Sequence, residues 1–340
     1  MRLYVAGVRY NLWRESNTVQ NKTERLCGQI PGILSDAVQL HGKGVIVVIV
    51  MQEYGMAGTA VSMAEKNASI AMLASVMKRY PNVILIPGSI AVSEEFLEDT
   101  ARRKSKVLKI HRNYLTLRHS LCMFGDSQFI KEHNQYSKAA KKGNLAGSIF
   151  LQNCAHVITA THKIKHRKSM PFCERERMQQ KHRGVFYIGA DSPIKSVSVL
   201  SHQFDLALLI CREHADRTSK VFNLHQAEPL MQVVISDAIG TSIANLFGAL
   251  NIHMDSVNDL SIFYNMKHSK ASLIEEVSGV LYVTNEMRTT KKRIEVDVIK
   301  CNVQERTLAD DCHLHDGQRQ RAHSIDNADI PFSIVKPRSY

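Results

Sequence analysis

Short apolar segments recur along the 340-residue chain, and each is bounded by polar residues or by residues typical of turns. The segments are rich in Val, Ile and Leu, and hydrophobic and polar positions hardly alternate within them. This pattern is typical of strands in a sheet that is covered on both faces. Strands are therefore predicted at Leu3–Val8, Gly44–Met51, Val83–Ile86, Ser148–Thr159, Val185–Ile188, Phe204–Cys211, Leu230–Ile235 and Val280–Val283.

Helical periodicity marks the segments between several of these strands. Apolar residues recur at three- and four-residue spacings in Thr23–Leu40 and in Ala57–Tyr80, which predicts amphipathic helices there. Ser93 is a suitable N-cap residue for a further helix, and Asp237–Ile252 is another helical candidate. Strands that alternate with helices predict an α/β architecture.

The composition predicts a folded chain with a full hydrophobic core. Hydrophobic residues make up 44% of the sequence, which is too high for a disordered protein. The longest uninterrupted apolar runs, such as Val45–Met51, are far shorter than the about 20 residues of a bilayer-spanning helix. The first segment, Met1–Val8, leads at once into polar sequence, which is not the pattern of a signal peptide.

The seven cysteines are scattered without the spacing of a disulfide framework, and no C-x-x-C pair occurs. Free thiols of this kind are typical of a reducing compartment, so we expect a cytoplasmic protein. The group Cys312–Asp316 resembles part of a metal site but lacks a second half. We therefore expect neither a metal nor a cofactor.

The formal net charge is +12, and basic residues concentrate in Arg102–His119, Lys138–Lys142 and His162–Arg183. Such a surface can attract nucleic acid or another anionic partner. The alternative is a solvated basic face without a dedicated partner. We favour this alternative because no signature of a nucleic-acid-binding module accompanies the charge, and we expect no membrane partner.

Cys211 is the first candidate for chemistry. It ends a predicted buried strand and precedes the polar run Arg212–Asp216. A side chain at the end of a strand can project at the edge of the sheet where active sites of open α/β folds collect. The alternative is a core cysteine at the end of a buried strand, which the residue alone favours because free cysteines are usually buried.

Glu53 and Lys168 are the other two candidates. Glu53 directly follows a very apolar strand, where partial burial would make its carboxylate a usable general base; the alternative is a polar residue that opens a turn. Lys168 follows the predicted strand Ser148–Thr159 within a basic run, in which a lone lysine is usually solvated. Nucleophilic catalysis needs a thiol, a base and a positive group for the developing oxyanion, and the three residues together supply this set.

The residues around these candidates resemble the three motifs of the nitrilase superfamily of carbon–nitrogen hydrolases. The first motif corresponds to Val50–Gly58 around Glu53. The second corresponds to the strand at Asn153 followed by His166, Arg167 and Lys168, and the third, Ile-Cys-x-Asp/Glu, to Ile210–Glu213 around Cys211. Further similarity lies in the segments Asn82–Ser89 and Gly184–Gly189.

The resemblance implies a four-layer α-β-β-α sandwich, which commonly pairs into homodimers or higher homo-oligomers. It implies hydrolysis of an amide, nitrile or carbamoyl substrate, with Glu53 as base, Lys168 as oxyanion stabiliser and Cys211 as nucleophile. The backbone N–H of Arg212 would assist Lys168. A second glutamate of the family corresponds to Glu176, which we prefer, or to Glu174.

The chain departs from the family pattern in three places. Gln52 replaces the usual proline before the glutamate, and the Pro-Glu that commonly follows the cysteine motif is absent. Glu53 and Lys168 lie 115 residues apart, and the excess length lies in a basic insertion at about 100–144. We therefore expect one hydrolase domain over 1–300 and a polar tail over 301–340. A catalytically silent binding protein that uses the insertion for an acidic partner is the alternative.

Overall fold

The computed structural model describes residues 1–10, 18–57, 60–95, 149–168, 184–186, 191–215, 224–237, 241, 243–284 and 288–300. Three of the predictions above lie outside these residues. They concern the basic insertion at 100–144, the second glutamate at Glu174 or Glu176, and the tail at 301–340.

The first of two sheets, sheet one, contains nine strands within the described residues. They are β1 (Arg2–Tyr10), β2 (Ile46–Met51), β3 (Val83–Ile86), β4 (Ser89–Glu95), β5 (Ile149–Ile158), β6 (Lys163–Arg167), β7 (Gly184–Phe186), β13 (Glu276–Thr284) and β14 (Thr289–Ile294). The order is β14-β13-β1-β2-β3-β5-β4, and β6 and β7 also pair with β5. The central strands β13, β1, β2 and β3 are mutually parallel.

The second sheet, sheet two, has the order β15-β12-β11-β10-β9-β8. Its strands are β8 (Ile194–Val199), β9 (His202–Ile210), β10 (Met231–Ser236), β11 (Leu250–Asp255), β12 (Asp259–Asn265) and β15 (Val296–Ile299). The three central strands β9, β10 and β11 run parallel to one another. Parallel strands need cover on both faces, and this agrees with the burial of all residues of β10 and of the second half of β9, Leu206–Ile210.

Two long helices pack on sheet one. Helix α1 (Val19–His41) begins at the N-cap Thr18, whose side chain accepts from the amide of Asn21. Helix α2 (Met63–Met77) begins with a capping box, in which Ser62 and Glu65 each accept from the other's backbone amide. Shorter helices are α3 (Arg212–Ala215), α4 (Leu224–Ala227) and 3₁₀ turns at Ile243–Asn245 and Ala271–Leu273.

The hydrophobic side chains form separate layers on either side of each sheet. Along β1, Leu3 and Val5 enter a core shared with sheet two, whereas Tyr4 and Ala6 enter a core shared with α1 and α2. A smaller cluster on the outer face of sheet two joins Leu209 to Leu224 of α4. The predicted α-β-β-α sandwich is therefore confirmed. In the described residues the outer face of sheet two is covered by the short helix α4 through Leu224 and by Phe247.

Every predicted strand overlaps a strand of the structure, and the two periodic segments form α1 and α2. Two helix predictions are wrong. Ser93 lies inside β4, because its amide bonds the carbonyl of Val61 and the strand pairs with β5. The candidate helix Asp237–Ile252 contains the 3₁₀ turn Ile243–Asn245 and then enters β11, whose pairing with β10 overrides the helical pattern.

Candidate active site

Glu53 lies in a tight turn directly after β2, and it is 1% exposed. Tyr54 has a φ of 57°, and the amide of Gly55 bonds the carbonyl of Gln52. The turn packs against Gly88, which has a φ of 74° and whose Cβ, if it had one, would lie 2.2 Å from the Gln52 carbonyl oxygen. Only glycine therefore fits between β3 and β4, and this close approach fixes the turn that presents Glu53.

Lys168 and Glu53 form a buried ion pair. Lys168 Nζ lies 2.9 Å from Glu53 Oε1, and both side chains are 2% exposed. The amide of Asn153 donates to the same oxygen at 2.8 Å and to the hydroxyl of Tyr54 at 3.2 Å. Glu53 Oε1 thus accepts from two side chains of sheet one, which hold the carboxylate in a single orientation.

The β5–β6 hairpin places Lys168 beside Asn153. The antiparallel register pairs Cys154 with Arg167, and the backbone amide of Lys168 continues the ladder to the carbonyl of Asn153 at 2.9 Å. Both groups that contact Glu53 Oε1 therefore come from one hairpin, whose register sets their spacing. Asn153 has no role predicted from the sequence, because it is one of three polar residues of β5, with Gln152 and His156, and nothing in the strand distinguishes it from them.

Cys211 lies at the end of β9 and is 4% exposed. Its backbone has a φ of 52°, in the left-handed region that side chains other than glycine rarely adopt. The amide of Cys211 bonds the carbonyl of Ile235 at 2.7 Å, and its carbonyl accepts from the amide of His214 at 2.9 Å. These bonds hold an uncommon backbone conformation at the point where β9 gives way to α3, as is frequent at functional sites.

The end of β10 brings Cys211 and Glu53 together across the sandwich. Cys211 is bonded to the carbonyl of Ile235, and the amide of Glu53 bonds the next carbonyl, that of Ser236, at 3.3 Å. Ile210 pairs with Ile235 in register, so Cys211 and Ser236 each directly follow the last paired position of β9 and β10. A thiol from sheet two and a carboxylate–ammonium pair from sheet one therefore share one edge of the molecule.

Arg212 and Gln52, which the sequence also singles out, both lie next to a candidate catalytic residue. Arg212 is the first residue of α3, directly after Cys211. Gln52, which stands where the family pattern has proline, is fully buried, and its side-chain amide donates to the carbonyl of Tyr10 at 3.4 Å. Gln52 thus connects the Glu53 turn to the end of β1.

Ser236 belongs to a buried network of hydrogen bonds. The Ser236 hydroxyl donates to Asp255 Oδ2 at 2.5 Å and accepts from His253 Nε2 at 2.6 Å. Burial lowers the pKa of His253 to about 4 and that of His214, whose ring centroid lies 5.6 Å away, to about 3. Both imidazoles are therefore neutral near pH 7. Asp255 has a structural role in this network.

The described residues contain no group of three or more His, Cys, Asp and Glu side chains arranged to hold a metal ion. Among the described helices, none combines the length and the apolar character that a membrane span requires.

Comparison with known proteins gives structural neighbours only. No family model matches the sequence, and no curated protein matches it. A variant of the Nesterenkonia AN1 amidase from the nitrilase superfamily matches with 11% identity and a TM-score of 0.41, over 75% of this chain and 76% of that one. A carbon–nitrogen hydrolase from Helicobacter pylori G27 matches with 12% identity and a TM-score of 0.39, over 74% and 72%.

Proposed function

We propose that the protein hydrolyses a non-peptide carbon–nitrogen bond in a small amide, nitrile or carbamoyl compound through a thioester on Cys211. The observation that supports this proposal is the buried Glu53–Lys168 pair, together with the backbone bonds of Glu53 and Cys211 to two consecutive carbonyl groups of β10. A thiol, a carboxylate and an ammonium group at one sheet edge are the components that covalent acyl transfer requires.

For an amide substrate, Glu53 takes the proton of the Cys211 thiol while Sγ attacks the carbonyl carbon. The Lys168 ammonium, assisted by the backbone N–H of Arg212, stabilises the negative charge that develops on the carbonyl oxygen. Collapse of this intermediate breaks the carbon–nitrogen bond, and the leaving nitrogen takes the proton from Glu53. Glu53 then removes a proton from water, which attacks the thioester and releases the acid and the free thiol.

The ion pair is suited to this sequence of steps because both side chains are buried. A buried charge without a partner is costly, so each of the two side chains needs the other as its partner. The side-chain amide of Asn153 and the ammonium of Lys168 both donate to Glu53 Oε1 and not to Oε2. We propose Oε2 as the oxygen that exchanges protons with the thiol and with water.

The test is ammonia or amine release from a panel of amides, nitriles, carbamoyl and ureido compounds. Activity on at least one class is expected, and Cys211→Ala and Cys211→Ser should abolish it. Cys154→Ala is the matched control, because Cys154 is a fully buried thiol that faces the α1–α2 side of sheet one. Intact activity in either Cys211 variant would refute the thioester mechanism.

Labelling with iodoacetamide distinguishes an enzyme from the catalytically silent binding protein. A nucleophilic Cys211 should be alkylated well before Cys154, whose thiol pKa is raised by burial. Peptide mass spectrometry gives the rate for each site. Equal and slow labelling of the two cysteines, together with no release from the panel, would favour the binding protein.

A further inference from the structure

The candidate catalytic groups are divided between the two sheets. Glu53, Asn153 and Lys168 belong to sheet one, whereas Cys211 belongs to sheet two. Apolar packing between sheets is not directional, so it cannot by itself fix how one sheet is placed along the other. An error of about 1 Å in the position of a reacting group can cost about 100-fold in rate. Directional bonds between the sheets are therefore needed near the site.

One such bond joins His166 to Glu213. His166 Nε2 lies 2.9 Å from Glu213 Oε2, and the side chains are 1% and 0% exposed. His166 lies in β6 two residues before Lys168, so the alternation of the strand places both side chains on the face directed at sheet two. Glu213 lies two residues after Cys211 in α3. Each partner is therefore two residues from a candidate catalytic group of its own sheet.

The same glutamate oxygen also holds the backbone of the cysteine turn. Glu213 Oε2 accepts from the amide of Ile210 at 2.8 Å. The pairing of β9 with β8 ends before this point, at Ala207 and Ile194, so the strand ladder on that side does not reach the Ile210 amide. Glu213 supplies the missing acceptor directly before Cys211, whose positive φ needs support from its surroundings.

The burial of this pair makes the bond energetically significant. His166 Nδ1 has no hydrogen-bond partner among the described residues, so the bond to Glu213 is the one that orients the imidazole. Loss of either partner would leave a buried polar group unsatisfied, at a cost that a solvent-exposed pair would not have. The pair can therefore resist displacement of one sheet relative to the other.

We propose that Glu213 is a positioning residue, which through His166 fixes the cysteine turn of sheet two against the Lys168 hairpin of sheet one. This inference rests on the proposed function, because it explains how the nucleophile is held at the correct distance from Lys168 and Glu53. Glu213 acts through Ile210 and His166 and has no assigned contact with substrate.

The kinetic test compares Glu213→Ala, Glu213→Gln, His166→Ala and His166→Gln. Both alanine variants should lower kcat about 10- to 100-fold with KM changed less than about threefold, because alignment and not substrate affinity is lost. His166→Gln should recover most of the activity, since its amide N–H can replace Nε2–H. The double variant Glu213→Ala/His166→Ala should be no slower than the slower single variant, because both remove the same bond.

His156→Ala is the matched control for loss of a buried histidine. His156 lies on β5 opposite Lys165, on the other face of sheet one, and is 5% exposed. It should keep wild-type kcat. If the alanine variants at 166 and 213 do not fold, the comparison uses Glu213→Gln and His166→Gln instead. Glu213→Gln should then lower kcat measurably, whereas His166→Gln should not.

The rate of Cys211 alkylation by iodoacetamide gives a readout that needs no substrate. The alkylation rate of Cys211 should differ at least threefold between His156→Ala and each of the variants Glu213→Ala and His166→Ala. If Cys211→Ala keeps the activity, the proposed function fails. If Cys211→Ala is inactive while the Glu213 and His166 variants keep wild-type kcat and alkylation rate, the positioning role is wrong and the proposed function stands. Lower resistance to urea with unchanged kcat would show a merely structural bond, which also overturns the inference.

Discussion

Lys168 Nζ and Glu53 Oε1 lie 2.9 Å apart in the interior of the protein, although the two residues are 115 positions apart in the sequence. Both side chains are 2% exposed, so water cannot replace either partner. The contact joins the turn after β2 to the hairpin of β5 and β6. Its removal should therefore affect stability as well as activity.

Lys168→Met should abolish amide hydrolysis and lower the free energy of unfolding by about 3–5 kcal/mol, because Glu53 is left as an unpaired buried charge. Urea unfolding measures the loss. Lys163→Met, at an exposed lysine of β6, the strand directly before Lys168, should change stability by less than about 0.5 kcal/mol. The double variant Glu53→Gln/Lys168→Met should regain part of the stability. Equal stability of the Lys168 and Lys163 variants would contradict a buried ion pair.

Asn153→Asp should move the acid limb of the pH–rate profile to higher pH. A second carboxylate would replace the amide that donates to Glu53 at 2.8 Å, and a like charge at this distance raises the pKa of its neighbour. The measurement is kcat/KM against pH. Asn82→Asp, at a part-buried asparagine that bonds the Val45 carbonyl, should leave the limb unmoved. An unchanged profile in Asn153→Asp would argue against Glu53 as the base.

The free energy of unfolding should fall as the pH is lowered from about 6.5 towards 4. His214 and His253 have pKa values of about 3 and about 4 in the folded protein, below the about 6.5 of an unfolded chain. The unfolded state therefore binds more protons in this window, so acid favours it. His253→Gln should flatten the dependence relative to wild type, whereas His162→Gln, at an exposed histidine, should not. Urea unfolding at pH 7 and pH 5 makes the comparison.

Gly88→Ala should destabilise the protein and slow the reaction, because the added Cβ would lie 2.2 Å from the Gln52 carbonyl oxygen at a φ of 74°. The backbone must then shift beneath the Glu53 turn. Gly32→Ala is the control, since nothing lies within 4 Å of a Cβ there and the residue is inside α1. That change should stabilise by about 0.5–1 kcal/mol, as alanine is the better helix former. Similar effects of the two substitutions would be inconsistent with the close approach.

The buried strands were predictable because they are short segments rich in Val, Ile and Leu and are bounded by polar or turn residues. The strand at Ser93 was not predictable, since the capping pattern that favoured a helix there is local, whereas the structure is decided by pairing with Val61 and β5. The hydrophobic pattern along the chain also does not show which of the two sheets a strand joins. That part of the fold came from the resemblance alone.

For the candidate site, the sequence supplied residue types at strand ends but not their contacts. Glu53, Lys168 and Cys211 could be named because each lies in a motif, and the structure adds the Glu53–Lys168 bond. His166 and Glu213 stand in the same motifs, yet their contact depends on how the sheets dock. No spacing along the chain encodes that long-range relationship.

The pairing of β1 with β13 has a consequence for the order of assembly. Arg2 and Glu276 are register partners, so sheet one is completed by residues from opposite ends of the described chain. Contacts of such high sequence separation slow folding, because a large loop must close before they form. A nascent chain that stops short of β13 would expose the edge of β1, which is open to pairing with other chains. Synthesis of nearly the whole domain must therefore precede a stable fold, and chains released early are the ones expected to aggregate.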